Sequence, residues 1–259
     1  MRFSATGRVV EAGDRAAVLV AKRVLVGSIA PCGDCEVCRR GGASACPLAK
    51  HHVFSETIRT SGRWLVALDD GLELPLPAAA AVAGDVALAY TLYARTGIGP
   101  RDPVVITGMT AVTRFLVEII VAKAGTPVVV VDGDAPLHWR EWLLAKGVTT
   151  SRVDRPAIVA AFAAHDVPAK PWSVIATGEL EQAAALAGPR ATLTVLAPVA
   201  RLPGEVVARE VTVIGVANAH PDLVVEAAAM CVKREIDLVA GTTTEPGDPT
   251  RSRVSARPG

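Results

Sequence analysis

The run DPVVITGMTAVTRFLVEIIVAKAGTPVVVVDGD, residues 102–134, limits what this chain can fold into more than any other stretch. Val104 to Thr107 is a short apolar run of the kind that forms a buried strand. From Val112 the apolar residues recur at Val112, Phe115, Leu116, Ile119 and Ile120, which lays one stripe along a helix. Val128 to Val131 is a second buried-strand run, closed by Asp132. Strand, glycine turn, helix, strand and terminal acid within about thirty residues make the βαβ unit that binds dinucleotides. Three later runs continue the alternation: WSVIATG (172–178), ATLTVLAP (191–198) and EVTVIGV (210–216). Strands separated by helical segments predict a Rossmann-type parallel sheet with helices on both faces, in the α/β class.

A chain of 259 residues can bury such a sheet and carry a smaller module beside it. Apolar residues make up 51% and aromatics only 4%, which suits a core packed from Ala, Val and Leu and argues against disorder. The net charge of +1 is scattered, so there is no electrostatic footprint for nucleic acid or an acidic membrane. MRFSATGRVVEAGDR has no apolar stretch of signal-peptide length, and the apolar run near 74–84 is interrupted by prolines. A soluble cytoplasmic protein is expected.

Four of the five cysteines fall within PCGDCEVCRRGGASAC, residues 31–46: Cys32, Cys35, Cys38 and Cys46, spaced C-x2-C-x2-C-x7-C. Disulfides suit an oxidising compartment, to which nothing directs this chain. A redox C-x-x-C uses one pair of thiols rather than four. That leaves a metal, and two kinds stay open on ligand type alone. A closed four-thiolate site holds Zn²⁺ structurally, and sets of four cysteines also hold iron–sulfur clusters. Gly33, Gly41 and Gly42 permit the tight turns that bring the sulfurs together.

With its lead-in KRVLV, this stretch resembles the structural-zinc lobe of the zinc-containing medium-chain dehydrogenase/reductases, the alcohol dehydrogenase superfamily. The resemblance runs along nearly the whole chain. TGRVVEAGD resembles the strand pair that precedes the lobe, and Trp64 to Leu68 reads as a short strand. A helix over about Ala79 to Thr96 ends near Gly97 and Gly99, and Thr177-Gly178 is similar to the family's turn beside the nicotinamide. The resemblance implies one structural Zn²⁺ per chain on the four cysteines and an NAD(H) site at Gly108, Thr110, Thr113, Asp132, Thr177 and Gly178. It divides the chain into a truncated GroES-like remnant with the zinc lobe (1–78), a Rossmann-type domain (79–241) and a flexible tail (242–259).

The chain departs from that family's pattern at three places. The glycine fingerprint reads Gly108-Met109-Thr110-Ala111-Val112-Thr113, so only the first of three glycines is kept. Thr110 adds bulk where the backbone should approach the pyrophosphate, while Thr113 stands where a small residue is tolerated. Asp132, 24 residues beyond Gly108, suits the ribose hydroxyls of NAD and disfavours the 2′-phosphate of NADP. The catalytic-zinc ligands are missing. Phe3 and Ser4 align with the family's His and Glu, Gly84 with its second cysteine, and the first cysteine would precede residue 1. The far end is short as well, trailing off after GTTTEPGDPTRSRVSARPG.

Other residues have two readings each. His51 and His52 serve either as extra metal ligands or a proton relay, or as part of a solvated loop. His220 is either a cofactor-side acid/base or a polar residue in a helix-starting loop with Pro221 and Asp222. Tyr90 reads as packing, and Cys231, in the pattern Val224, Ala227, Cys231, reads as an inert core thiol.

No catalytic residue is assigned. The resemblance implies an NAD(H)-dependent oxidoreductase acting on a small alcohol, carbonyl or activated alkene without catalytic zinc. The alternative is a non-catalytic zinc-binding descendant that serves as a binding or assembly module for a protein partner. Too few strands remain in the first domain to cover both their faces, so a homo-oligomer is expected.

Overall fold

The computed structural model describes residues 4–53, 55–68, 74, 76–126, 128–131, 136–152, 154–167, 172–178, 180–196 and 201–238. Asp132, Phe3 and the 242–259 segment lie outside these residues. The chain forms two compact units: Met1–Leu88 with Asn218–Gly259, and Ala89–Ala217. These boundaries differ from those expected at 78/79 and 241/242. In the first unit the helix Leu223–Val232 packs on the π-turn Val82–Val86, so both helical segments belong with the small sheet.

In the first unit β1 (Ala5–Arg8), β2 (Arg23–Val26) and β5 (Leu65–Leu68) form an antiparallel sheet in the order β1-β2-β5. The strand pair expected within TGRVVEAGD is only half there. β1 pairs instead with the lead-in of the cysteine stretch, Ala5 facing Val26 and Arg8 facing Arg23. The reason is local, since Gly13 leads into a 3-10 helix, Asp14–Leu19, that carries the chain out of the sheet. Val24, Leu25 and Val26 are all buried, so β2 is covered on both faces inside the chain. The helix Leu76–Ala81 and the π-turn pack against β1 and β2, while Ile58 and Leu65 pack with Ala5, Val24 and Val26. The coverage is of the middle strand: Gly7 and Arg8 of β1 and Leu65 to Ala67 of β5 remain half-buried or exposed. A two-stranded ribbon, β3 (Ile29–Ala30) with β4 (Lys50–His51), brackets the cysteine stretch. The path from Leu76 to Thr96 is helical throughout, with the π-turn in the middle, and Gly97 at φ +69° follows it.

The second unit holds β6 (Val104–Thr107), β7 (Val128–Val131), β8 (Thr149–Ser151), β9 (Ser173–Ala176), β10 (Thr192–Val195) and β11 (Thr212–Gly215). All pair in parallel in the order β11-β10-β9-β6-β7-β8. Numbered from β6, that is the 6-5-4-1-2-3 order of a dinucleotide-binding sheet, with its switch point between β6 and β9. Val104, Val105, Ile106 and Thr107 are wholly buried, as a central parallel strand covered on both faces requires. The helix Ala111–Ala124 buries the expected stripe of Val112, Phe115, Leu116, Ile119 and Ile120. Gly125 caps it in the left-handed region at φ +55°, its N–H bonded to Val121 O. β8 escaped the sequence reading because Thr149-Thr150-Ser151 is polar, as an edge strand partnered, among the described residues, only by β7 can be. Phe162 and Trp172 stack with ring centroids 5.7 Å apart, beside Val129, Val174 and Leu193. Among the described residues no helix is long and apolar enough to cross a membrane.

Candidate functional site

The C-x2-C-x2-C segment runs into one helical turn, Glu36–Arg39, which brings Cys35 and Cys38 back toward Cys32. Gly33 at φ +84° and Gly41 at φ +79° make the bends on either side of that turn. Gly42 is needed for a different reason, since a Cβ there would meet Val37 Cγ1 at 2.9 Å and Val37 O at 3.0 Å. The fourth thiol, Cys46, follows the 3-10 turn Ala43–Ala45 and is buried.

The four Sγ atoms lie within 4.8 Å of one another. Cys46 is 3.6 Å from Cys32 and 3.8 Å from Cys35, and Cys32 is 3.9 Å from Cys38. A tetrahedral ion with metal–sulfur bonds of about 2.3 Å needs sulfur edges of about 3.8 Å. The spacing is too wide for disulfides, whose sulfurs sit about 2.05 Å apart. It also fits a single ion, whereas a multi-iron cluster spreads its thiolates further apart. The donor set is four soft thiols with no position left for substrate, so the site fits structural Zn²⁺.

The metal-free thiols are electrostatically unequal. The Asp34 and Cys35 N–H groups hold the pKa of Cys32 down to about 6. Desolvation, with the neighbouring Cys46, Cys35 and Cys32 sulfurs adding to it, pushes that of Cys38 up to about 12. Cys35 N donates to Cys32 Sγ at 3.3 Å and Cys32 N to Cys46 Sγ at 3.4 Å, so backbone donors already point at the sulfurs that would carry charge.

The histidines beside the lobe take no part in this cluster. His51 sits exposed on β4. His52 is tied through Nδ1 to Gly27 O at 2.7 Å, with its backbone N bonded to Ser28 O. His220 lies in the loop before the helix Leu223–Val232, and its Nε2 is 2.9 Å from Gly41 O. Trp64 fastens the start of the lobe, its Nε1 donating to Pro31 O at 2.8 Å under the guanidinium of Arg63. Tyr90 packs edge-on to Tyr93 in the core, and Cys231 is buried.

At the head of β6 the backbone of two glycines touches. Gly108 takes φ +88°, and a Cβ on it would lie 2.7 Å from Gly178 N, 2.9 Å from Gly178 Cα and 3.0 Å from Thr177 Oγ1. Four of the residues expected to hold a cofactor, Gly108, Thr113, Thr177 and Gly178, thus meet at the switch point. Thr110 joins them through its own helix. It is the N-cap of Ala111–Ala124, its Oγ1 accepting from Thr113 N at 3.3 Å while Thr113 Oγ1 accepts from Thr110 N at 3.1 Å. Thr113 is fully buried and donates to Gly108 O at 2.7 Å, and its hydroxyl lies 2.7 Å from that of Thr177. Thr177 Oγ1 in turn reaches Thr107 O and Gly108 O, each at 3.0 Å.

Thr113 is therefore a buried hydrogen-bonding hub at the position where the fingerprint packs a small residue. The T-x-x-T spacing after Gly108 carried that signal, as a variant of the capping box. Ala111 and Val112 begin the helix, where N–H groups lack intrahelical partners and the dipole favours an anion. Asp132, just beyond β7, lies outside the described residues.

Positions 4 and 84, aligned with the family's catalytic-metal ligands, are neighbours in the first unit. A Cβ built on Gly84 would overlap Ser4 Oγ, which donates to Ala80 O at 3.2 Å. Neither residue offers a side chain of the kind a catalytic zinc takes, and the chemistry of the pair does not fit that ion.

The elements of the two units are those of the medium-chain dehydrogenase fold. Solved structures with this fold include the D-arabinose dehydrogenase of Sulfolobus solfataricus, 16% identical, covering 90% of this chain and 76% of its own at a TM-score of 0.74. A short chain alcohol dehydrogenase of E. coli CFT073, complexed with NADH, is 16% identical and covers 90% of this chain and 72% of its own at 0.74. The galactitol-1-phosphate dehydrogenase of Escherichia coli is 18% identical, with 90% and 73% covered at 0.73. No family model matches the chain, and no curated protein does.

Proposed function

We propose that this chain is an alcohol dehydrogenase-like oxidoreductase that binds NAD(H) and acts on a small alcohol, carbonyl or activated alkene without a catalytic metal. The observation that carries the reading is the backbone contact of Gly108 with Gly178 at the switch point of a sheet in dinucleotide order. Two strand ends without side chains leave a groove floor that a pyrophosphate or nicotinamide can approach. A bound dinucleotide would supply or accept the hydride. The chain's own part is binding and orientation: the first turn of Ala111–Ala124 would face the phosphates, the Thr113–Thr177 pair fixes the turn, and Asp132 would accept from the ribose. The four-cysteine lobe keeps its Zn²⁺ for structure. NADH bound in one solved neighbour supports this reading without identifying a substrate.

Titration of the purified protein with NADH, followed by fluorescence or calorimetry, tests it. Affinity in the range of tens to hundreds of micromolar is expected, because Thr110 crowds the turn. Asp132→Ala should weaken binding about ten-fold or more, by removing charge-assisted hydrogen bonds. Absence of binding at millimolar NADH would sink the proposal.

A second reading, a non-catalytic assembly module, draws on the filled contact between Ser4 and Gly84. It predicts intact zinc binding with no dinucleotide affinity. Both readings are compatible with a homo-oligomer, which we propose on the sheet edges, β8 and β11 each pairing on one side only among the described residues. Light scattering at micromolar concentration should give the mass of a dimer, and a monomer would count against it.

A further inference from the structure

Two side chains outside the four-thiol cluster and the proposed cofactor site hold the longest span of the metal lobe. Seven residues separate Cys38 from Cys46, against two in each of the other spacings. Of the short ones, Cys35 to Cys38 spans the helical turn, where Arg39 N bonds to Cys35 O, and Cys32 to Cys35 bends at Gly33, with Cys35 N donating to Cys32 Sγ. The long one needs further support, because each added loop residue adds conformations that must be given up to bring the fourth thiol home. Part of that support is internal: Gly41 N bonds to Cys38 O, Gly42 N to Val37 O, and Cys46 N to Ala43 O. The rest comes from far along the chain. Asn218 Nδ2 donates to Ser44 O at 3.1 Å, and His220 Nε2 lies 2.9 Å from Gly41 O. A carbonyl only accepts, so Nε2 carries the proton. The His220 side chain is 14% exposed, and Ala219 between the two donors is buried, so the segment is seated against the lobe rather than waving past it.

We propose that Asn218 and His220 are positioning residues for the metal site: they fix the 41–44 loop in the shape that presents Cys46 and so set how tightly Zn²⁺ is held. Coupling of this sort is reciprocal. If the two donors steady the loop, the loaded lobe steadies residues 218–222, the segment that follows β11 in the chain and leads to Leu223–Val232. The sheet is thus linked covalently to a segment whose order depends on a metal bound elsewhere. The inference rests on the zinc reading of the four thiols and is independent of the oxidoreductase reading.

The test uses the full chain loaded with Zn²⁺ and a competing chromogenic chelator. Asn218→Ala and His220→Ala should each weaken zinc affinity about five-fold, the effect of one neutral hydrogen bond, and the double variant about twenty-fold. His220→Gln should restore most of the loss, because its amide can donate where Nε2 does. If His220→Ala fails to fold, Asn218→Ala and His220→Gln still decide the matter. In a second arm, stripping zinc from the wild type should speed amide hydrogen exchange at 218–222 while leaving Val104–Thr107 protected. Unchanged affinity in the variants, or exchange at 218–222 indifferent to zinc, overturns the inference alone. A wild type that binds no zinc overturns the metal reading and this inference with it.

Discussion

In the metal lobe the groups that would meet a ligand are side chains, while at the end of β6 the surface proposed to meet one is backbone. The lobe keeps all four thiols at their spacing, and the structure brings Cys46 to 3.6 Å from Cys32 and 3.8 Å from Cys35, and Cys38 to 3.9 Å from Cys32. The turn has lost two of the three glycines of the fingerprint, yet Gly108 still contacts Gly178 closely enough that neither place admits a Cβ without a shift. Side-chain sites fail when a ligand is replaced. Backbone sites fail only when a replacement changes the path of the chain, and here the replacing threonines hold that path by bonding to one another.

The largest effect should come from breaking the side-chain site. Elemental analysis should give one zinc per chain, and Cys38→Ser should remove it, because a three-thiolate remnant loses the closed tetrahedron. The sheet should stay folded, since the lobe lies in the other unit, so circular dichroism should retain most of its signal. Two zincs per chain, or iron with a visible charge-transfer band, would break the comparison at its first term.

Next is the backbone site. Gly108→Ala puts a Cβ 2.7 Å from Gly178 N at φ +88°, combining overlap with a left-handed backbone. A loss of stability of about 2–4 kcal/mol is expected by denaturant melt, with NADH affinity lowered more than ten-fold. A variant that binds and melts like the wild type would show that the contact is incidental.

The smallest effect concerns Thr110. Thr110→Ala removes the N-cap of Ala111–Ala124 and should cost about 1 kcal/mol, while Thr110→Gly should cost only a few tenths. Thr110→Gly should nonetheless tighten NADH binding, since it removes bulk and frees Thr113 N–H for a phosphate. Weaker binding in that variant would mean the threonine hydroxyls serve the ligand directly.

Much of the scaffold was legible in the residues. β6 and β7 fall where the valine-rich runs predicted, and the stripe on Ala111–Ala124 is the buried one. β8 was not legible, because a polar edge strand carries no hydrophobic period. The missing half of the first strand pair was misread because its partner is set by pairing across the sheet rather than by adjacency.

By itself, the sequence determined the set of four thiols and the parallel α/β class, since thiol spacing and apolar periodicity are local properties that survive any arrangement of distant segments. The tertiary structure decided the rest. It joined Gly108 to Gly178, closed Ser4 against Gly84, and brought Asn218 and His220 to a loop more than 170 residues earlier. Each of these is a contact between chain segments whose separation leaves no periodic trace, and the order of strands around the switch point is what sets the first of them.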